Sequence, residues 1–132
     1  MKLTVGIGEA IENPSERQIE AALHSLPGGD DSFAILGSGE QFYVQAAGGA
    51  AEAFVLECRS GSASEHYRCN NTSLLLEEVL AAFLSYHRSD SEFKRTLDWE
   101  REVEESPPRR LPLLVLAVLA AIAAVVLWQV IG

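Results

Sequence analysis

Five stretches within residues 2–69 have the residue pattern of β-strands, and side chains of different polarity alternate with a period of two along 2–7, 41–47 and 52–59. Such alternation is typical of β-strands that bury one face, and glycine-containing turns separate the last four stretches. Because each of these breaks is short, antiparallel hairpins are the simplest connections between the four strands. The predicted strands are residues 2–7, 32–36, 41–47, 52–59 and 65–69.

Two other stretches place apolar residues at the spacing of an amphipathic helix. The first begins at 13–16 (Asn-Pro-Ser-Glu), with Asn13 as the predicted cap and Pro14 as the first helical residue, and it ends before Pro27. The second can be capped by any of residues 71–73 and continues to about Tyr86 with a broad apolar face. We expect this second helix to cover the sheet, with Leu80 and Phe83 buried.

Residues 92–104 carry an ambiguous pattern. Phe93 and Leu97 stand at a helical spacing, whereas Leu97 and Trp99 stand at a strand spacing, so we expect a short turn of helix and leave open a closing strand. The predicted fold class is therefore α+β, with a small antiparallel β-meander of about four to five strands packed against two helices. One C-terminal transmembrane helix is predicted to follow this domain.

That last helix corresponds to Leu111–Ile131, which is apolar on all sides and has no charged side chain. At about 1.5 Å per residue it would extend for about 31 Å, close to the thickness of the hydrocarbon core of a bilayer. A buried helix of a soluble protein is the alternative, but so small a domain could hardly enclose one. We therefore predict that residues 111–131 cross the lipid bilayer, that residues 1–104 form the α+β domain, and that residues 105–110 are an acidic, proline-containing linker.

The flanks of the apolar segment predict its orientation. Arg109 and Arg110 precede it directly and nothing basic follows, so the positive-inside tendency favours a cytoplasmic N-terminal domain. Met1–Ile7 does not resemble a secretory signal, because it lacks an apolar run before Glu9. The expected location is the cell membrane, as a tail-anchored single-pass protein. Two cysteines agree with a reducing compartment, and a disulfide between them is conceivable only if the orientation is reversed.

Charge limits the classes of partner. The chain has 19 Asp and Glu against 10 Lys and Arg, a formal net charge of −9, and every charged residue precedes the apolar segment. A nucleic-acid-binding domain needs a basic surface for phosphates, so we expect no nucleic-acid partner. An acidic domain suits simple solubility or a basic protein partner.

The sequence shows no catalytic constellation. The three histidines stand in unrelated elements, and no serine lies in a nucleophile elbow. A zinc site formed by Cys58, Cys69 and His66 would need a fourth ligand that the sequence does not supply. We therefore predict that the protein is not an enzyme and has no catalytic residue, metal or cofactor.

Alternation along the second and third strands of the meander suggests a partner-binding face. Phe42, Val44 and Ala46 should point to one side of the sheet, and the residues between them to the other. If the second helix covers the first side, the other side is left for a partner or for solvent, and an antiparallel sheet commonly leaves one side wet. Tyrosine and arginine are frequent interface anchors, which favours a partner. The candidate partner-binding residues are Gln41, Tyr43, Gln45, Glu57 and Arg59.

Several short motifs follow one another in a characteristic order over about residues 11–100. They are Asn13-Pro14-Ser15, Leu26-Pro27-Gly28-Gly29, Phe33-Ala34-Ile35-Leu36, Tyr43-Val44-Gln45, Gly48-Gly49, Val55-Leu56-Glu57-Cys58-Arg59, Leu76-Glu77-Glu78-Val79, Ala82-Phe83, Tyr86 and Trp99. This order resembles that of the first-numbered family of immunity proteins from bacterial polymorphic toxin systems. The resemblance implies a small α+β domain that binds and neutralises a cognate protein toxin, often a nuclease or deaminase. The apolar segment at residues 111–131 is an addition to the usual pattern of that family.

Two classes of function follow. The first is a non-enzymatic immunity protein that blocks a toxin sterically, with anionic side chains such as Glu57 in the toxin's phosphate-binding cleft and Tyr43 as the central apolar contact. The second is a tail-anchored membrane adaptor or regulator that binds another protein.

Overall fold

An antiparallel sheet is the scaffold of the described part of the chain. The computed structural model describes residues 1–8, 10–62 and 64–102. The strands are β1 (Lys2–Val5), β2 (Ala10–Glu12), β3 (Phe33–Gly39), β4 (Phe42–Gly49), β5 (Ala53–Ser60), β6 (His66–Cys69) and β7 (Trp99–Arg101). The helices are α1 (Glu16–His24), α2 (Leu76–His87) and α3 (Glu92–Thr96). The α+β class is confirmed.

The seven strands lie in the order β2-β1-β3-β4-β5-β6-β7. The predicted strands correspond to β1 and β3–β6, the short helix expected after residue 92 corresponds to α3, and the closing strand that was left open there is β7. The expected count of four to five strands was too low because β2 was missed and β7 was left open. This strand has three residues at the sheet edge and is paired to β1, so backbone hydrogen bonds hold it without an apolar alternation.

The start of α1 differs from the prediction by two residues. Asn13 does not cap the helix; its φ is +48° and its Oδ1 lies 3.3 Å from the N-terminal amine of Met1, so it serves the turn that leaves β2. Ser15 is the cap instead: its Oγ accepts the N–H of Gln18 at 3.1 Å, and Gln18 Oε1 accepts the N–H of Ser15 at 2.9 Å. This reciprocal pair is a capping box, and it satisfies two backbone donors that the first turn leaves unpaired.

The predicted cap of α2 within residues 71–73 was wrong. Leu74 forms an isolated antiparallel bridge with Phe54, with both N–H to O distances at 3.0 Å, which keeps the chain extended past these residues. The helix therefore begins at Leu76, and Glu78 Oε1 accepts the N–H of Leu75 at 2.9 Å. Asn71 instead forms a local turn, accepting the N–H of Ser73.

The helices and one face of the sheet enclose the apolar core. Phe83 of α2 is fully buried, and Leu80 is partly buried and packs against the core. Arg88, which follows α2, joins it to the start of α1, since its Nε and Nη2 donate to Glu16 at 2.9 and 2.7 Å. The fully buried core side chains include Leu3, Ile19, Leu23, Leu36, Val44, Phe54, Leu56, Leu74, Val79 and Phe83.

The predicted transmembrane segment at 111–131 and linker at 105–110 lie outside the described residues. Among the residues that the structure describes, no helix is long and apolar enough to cross a membrane.

Candidate partner-binding face

The face of the sheet opposite the core carries two rows of mostly polar residues across β4, β5 and β6. Residues directly opposite each other on antiparallel strands lie on the same face, and the register pairs Tyr43 with Arg59 and Gln45 with Glu57. It then pairs Arg59 with His66 and Glu57 with Arg68. We call this set of six residues the polar face: Tyr43, Gln45, Glu57, Arg59, His66 and Arg68.

The predicted candidate residues do come together on this face, but three of them are hardly exposed. Tyr43, Gln45 and Glu57 have only 7%, 1% and 2% of their surface exposed, whereas Gln41 and Arg59 are partly exposed. These three side chains are therefore largely removed from solvent. Alternation along a strand specifies the side to which a residue points, and does not specify how deeply that side is buried.

Gln41, Tyr43 and Arg59 form one contact group at the end of the face near the β3–β4 turn. Arg59 Nη1 donates to Gln41 Oε1 at 3.3 Å. The guanidinium carbon of Arg59 lies 5.8 Å from the centre of the Tyr43 ring, a cation–π distance. These contacts hold Arg59 against the tyrosine, and Arg59 and Gln41 are the partly exposed members of the group whereas Tyr43 is buried.

Glu57 is the centre of a cluster of charged groups. Its Oε1 lies 3.4 Å from Arg68 Nε and 3.7 Å from His66 Nε2. Arg68 Nε also lies 3.3 Å from Glu102 Oε1, so one guanidinium is shared by two carboxylates. Exposure increases outward through the cluster, since the side chains of Arg68 and Glu102 are 38% and 35% exposed and that of Glu57 is 3% exposed.

Burial dominates the ionisation of Glu57. Desolvation raises the pKa of its carboxyl from 4.5 to about 7, against the opposing attraction of Arg68, and the negative charge of Glu102 raises it further. This carboxyl therefore takes up a proton close to neutral pH, which an exposed glutamate does not do.

The side-chain amide of Gln45 is buried beside Glu57 without a hydrogen-bond partner. Within the described ranges neither Gln45 Oε1 nor Gln45 Nε2 is paired, and the same holds for Glu57 Oε2. Leaving a buried polar group unpaired costs about 1–3 kcal/mol, so such groups are rare in folded proteins and require an explanation.

His66, Arg68 and Glu102 were not predicted from the sequence as members of this cluster. A signal for the first two was present, because His66 and Arg68 alternate with Tyr67 and Cys69 along β6. Pairing β6 against β5 by the Ser60-Gly61-Ser62 turn would have placed Arg68 near Glu57. Glu102 could not be found in this way because it follows β7, which is separated from β6 by α2 and α3.

The two cysteines are buried free thiols on the core side of the sheet. Desolvation raises the pKa of the Cys58 thiol to about 12, so it is protonated at neutral pH and is a poor nucleophile. No group of three His, Cys, Asp or Glu residues in residues 1–8, 10–62 and 64–102 is arranged to hold a metal ion.

Comparisons of the chain with protein-family models, with curated proteins and with solved structures find no match.

Proposed function

We propose that the α+β domain is a non-enzymatic immunity domain, which binds a cognate bacterial toxin and neutralises it by steric blockade. The observation that carries the proposal is the polar face, where arginine, tyrosine, glutamine and glutamate side chains converge on the side of the sheet opposite the core. An antiparallel sheet commonly packs one face on the core and leaves the other solvated, so a second face that buries polar and charged side chains is unusual. The order of motifs shared with immunity proteins supports the same class.

Blockade needs only binding, because an occupied active-site cleft cannot admit its substrate. The net charge of −9 would attract a basic toxin such as a nuclease or deaminase, and complementary charge accelerates encounter. Since Tyr43 and Glu57 are buried, we assign the first contact to the partly exposed Gln41, Arg59 and Arg68. Glu57 then supports that contact from beneath, by holding Arg68.

Growth rescue tests the proposed face. The toxin candidate is the product of the gene directly upstream, co-expressed with the full chain. We expect Arg59→Ala to weaken toxin binding by about 30-fold, equivalent to about 2 kcal/mol for an interface anchor, and to reduce rescue accordingly. Measuring the affinity of the purified chain for the purified toxin tests the expected loss of binding independently of growth.

Arg17→Ala is the matched control, because it removes the same side chain from an exposed position on α1. It should leave rescue unchanged. Full protection by the Arg59→Ala variant would show that the toxin contacts another surface. Absence of rescue by the unaltered chain with any neighbouring gene product would reject the immunity function.

The membrane location is proposed on the uncharged stretch at 111–131 and on Arg109-Arg110. Washing membranes with alkaline carbonate should leave the full chain in the pellet, whereas a chain ending at Ser106 should be soluble. A cytoplasmic domain should also resist protease added outside intact cells. Release of the full chain into the supernatant would contradict this proposal.

A membrane-tethered adaptor or regulator is the second candidate, and the same apolar stretch favours it. It would bind a protein other than a toxin through the same domain. Gene neighbourhood separates the two functions, since an immunity gene is expected directly downstream of its toxin gene.

A further inference from the structure

We propose that the end of the sheet at which the chain leaves the domain rests on the lipid bilayer, with the exposed ring of Phe42 in the headgroup region. This inference rests on the proposed membrane location and adds the surface by which the domain meets the lipid. It starts from the position of Glu102, the last residue that the structure describes, and from Phe42, which is 50% exposed.

Phe42 and Glu102 lie at the same end of the sheet, which we call the exit end. Glu102 donates its N–H to the carbonyl of His66, the first residue of β6, at 2.8 Å. Phe42, the first residue of β4, is opposite Ser60, the last residue of β5. A Cβ atom on Gly61 would lie 3.5 Å from Phe42 Cζ, so the ring lies over the turn that joins β5 to β6. This turn therefore connects the exposed ring to the position where the chain leaves the sheet.

The length of the connection limits which end of the sheet can reach the bilayer. Residues 103–110 separate Glu102 from the apolar segment at 111–131. A chain of this length would span about 16 Å as a flexible coil and at most about 28 Å when fully extended. β4 and β5 contain 8 residues each, which corresponds to a length of about 27 Å. Bringing the opposite end of the sheet to the lipid would therefore require almost full extension, whereas the exit end is within reach of a coil.

Phe42 is the exposed large apolar residue at the exit end. The other two such residues in the described ranges, Ile7 and Leu75, lie after β1 and before α2, at the opposite end of the sheet. Phenylalanine is among the residues with which peripheral segments enter the boundary between headgroups and acyl chains. Because Phe42 alternates with Gln41 and Tyr43 along the strand, its ring points away from the polar face. Contact with lipid at Phe42 therefore leaves the polar face available to a protein partner.

The turns and strand ends of the sheet differ in charge between its two ends. At the opposite end, the described residues include four carboxylates and no Lys or Arg, and these carboxylates belong to Asp30, Asp31, Glu52 and Asp98. At the exit end, the cations of Lys2, Arg59 and Arg101 offset most of the charge of Glu12, Glu40, Glu65 and Glu102. An anionic lipid surface therefore repels the opposite end more strongly than the exit end.

The test places the full chain in lipid nanodiscs of phosphatidylcholine and phosphatidylglycerol, with para-fluorophenylalanine in place of phenylalanine. One lipid carries a nitroxide near the top of its acyl chain, and fluorine nuclear magnetic resonance measures the broadening that it causes. The chain has 5 phenylalanines, and all except Phe42 are buried. Since a short linker holds the ring at a millimolar effective concentration, we expect broadening of the Phe42 signal to exceed that of the other rings about tenfold. The signal that disappears in Phe42→Leu is that of Phe42.

Ile7→Phe is the matched control, because it places a fluorinated ring at an exposed position of the opposite end. The signal of this ring should stay narrow in the same nanodiscs. Equal broadening at positions 7 and 42 would show that the domain has no preferred orientation and would overturn the proposal. Broadening at position 7 alone, or of no ring at all, would overturn it as well.

Carbonate washing and growth rescue separate this inference from the proposals beside it. If the full chain stays in the membrane pellet and the Phe42 signal is not broadened, the docking surface is wrong and the membrane location stands. Release of the full chain by carbonate would overturn both. If the Phe42 signal is broadened and no toxin candidate is neutralised, the docking surface stands and the immunity function is wrong.

Discussion

Replacing Phe83 with alanine is expected to lower the free energy of unfolding of the domain by about 3–5 kcal/mol. Phe83 lies in the middle of α2, is fully buried and packs in the apolar core between helix and sheet. Truncation removes the buried ring and leaves a cavity that neighbouring side chains fill only in part. Small domains have total stabilities of about 5–15 kcal/mol, so a loss of this size is easily resolved. Chemical denaturation of the domain, in a chain ending at Ser106, gives the measurement.

Phe42→Ala is the matched control, because Phe42 is 50% exposed at the start of β4. We expect this variant to lose about 1 kcal/mol or less, since little apolar surface returns to water. Equal losses in the two variants would mean that α2 is not the helix that closes the core.

Replacing Glu57 with glutamine is expected to stabilise the domain at pH 8 by about 3 kcal/mol and to have almost no effect at pH 4. The pKa of Glu57 is raised from 4.5 to about 7 in the folded domain, mainly by desolvation. The folded domain therefore holds this proton more tightly than the unfolded chain does. Stability from the protonated carboxyl is fully present below pH 4.5 and is lost as the pH rises through about 7.

Glutamine mimics the neutral carboxyl and cannot ionise, so the variant should lack this loss of stability with rising pH. Denaturation curves of both proteins at pH 4, 6 and 8 provide the comparison. Glu40→Gln, at an exposed turn, should differ from the unaltered domain by about 0.5 kcal/mol or less at every pH. A Glu57→Gln variant that is less stable at pH 8 would show that the ion pair with Arg68 outweighs the cost of burial.

Most of the strands could be predicted because each buries one face, and a period of two records that burial directly. β4 and β5 illustrate this: Val44 and Ala46, and Leu56 and Cys58, were expected on one side and all lie in the core. The residues that cap the helices were predicted less accurately than the strands. Several polar residues in a row are equally able to cap a helix, and the choice depends on a distant contact such as the bridge between Leu74 and Phe54.

Part of the candidate site also followed from the sequence. Tyr43, Gln45, Glu57 and Arg59 share a face because they alternate with core residues on neighbouring strands. Their low exposure did not follow, and neither did the unpaired state of the Gln45 amide. Both depend on the surroundings of a side chain in three dimensions.

Local patterns in the sequence were enough to predict the α+β class, five of the strands, the approximate positions of the helices and the face on which the candidate residues lie. These features arise from local periodicity and from turn residues, which neighbouring positions in the chain encode. Glu57, His66, Arg68 and Glu102 come together only in the tertiary structure, because strand register across one hairpin and one helical connection sets those distances. The raised pKa of Glu57 also depends on the tertiary structure, since desolvation is a property of the folded surroundings and not of the residue.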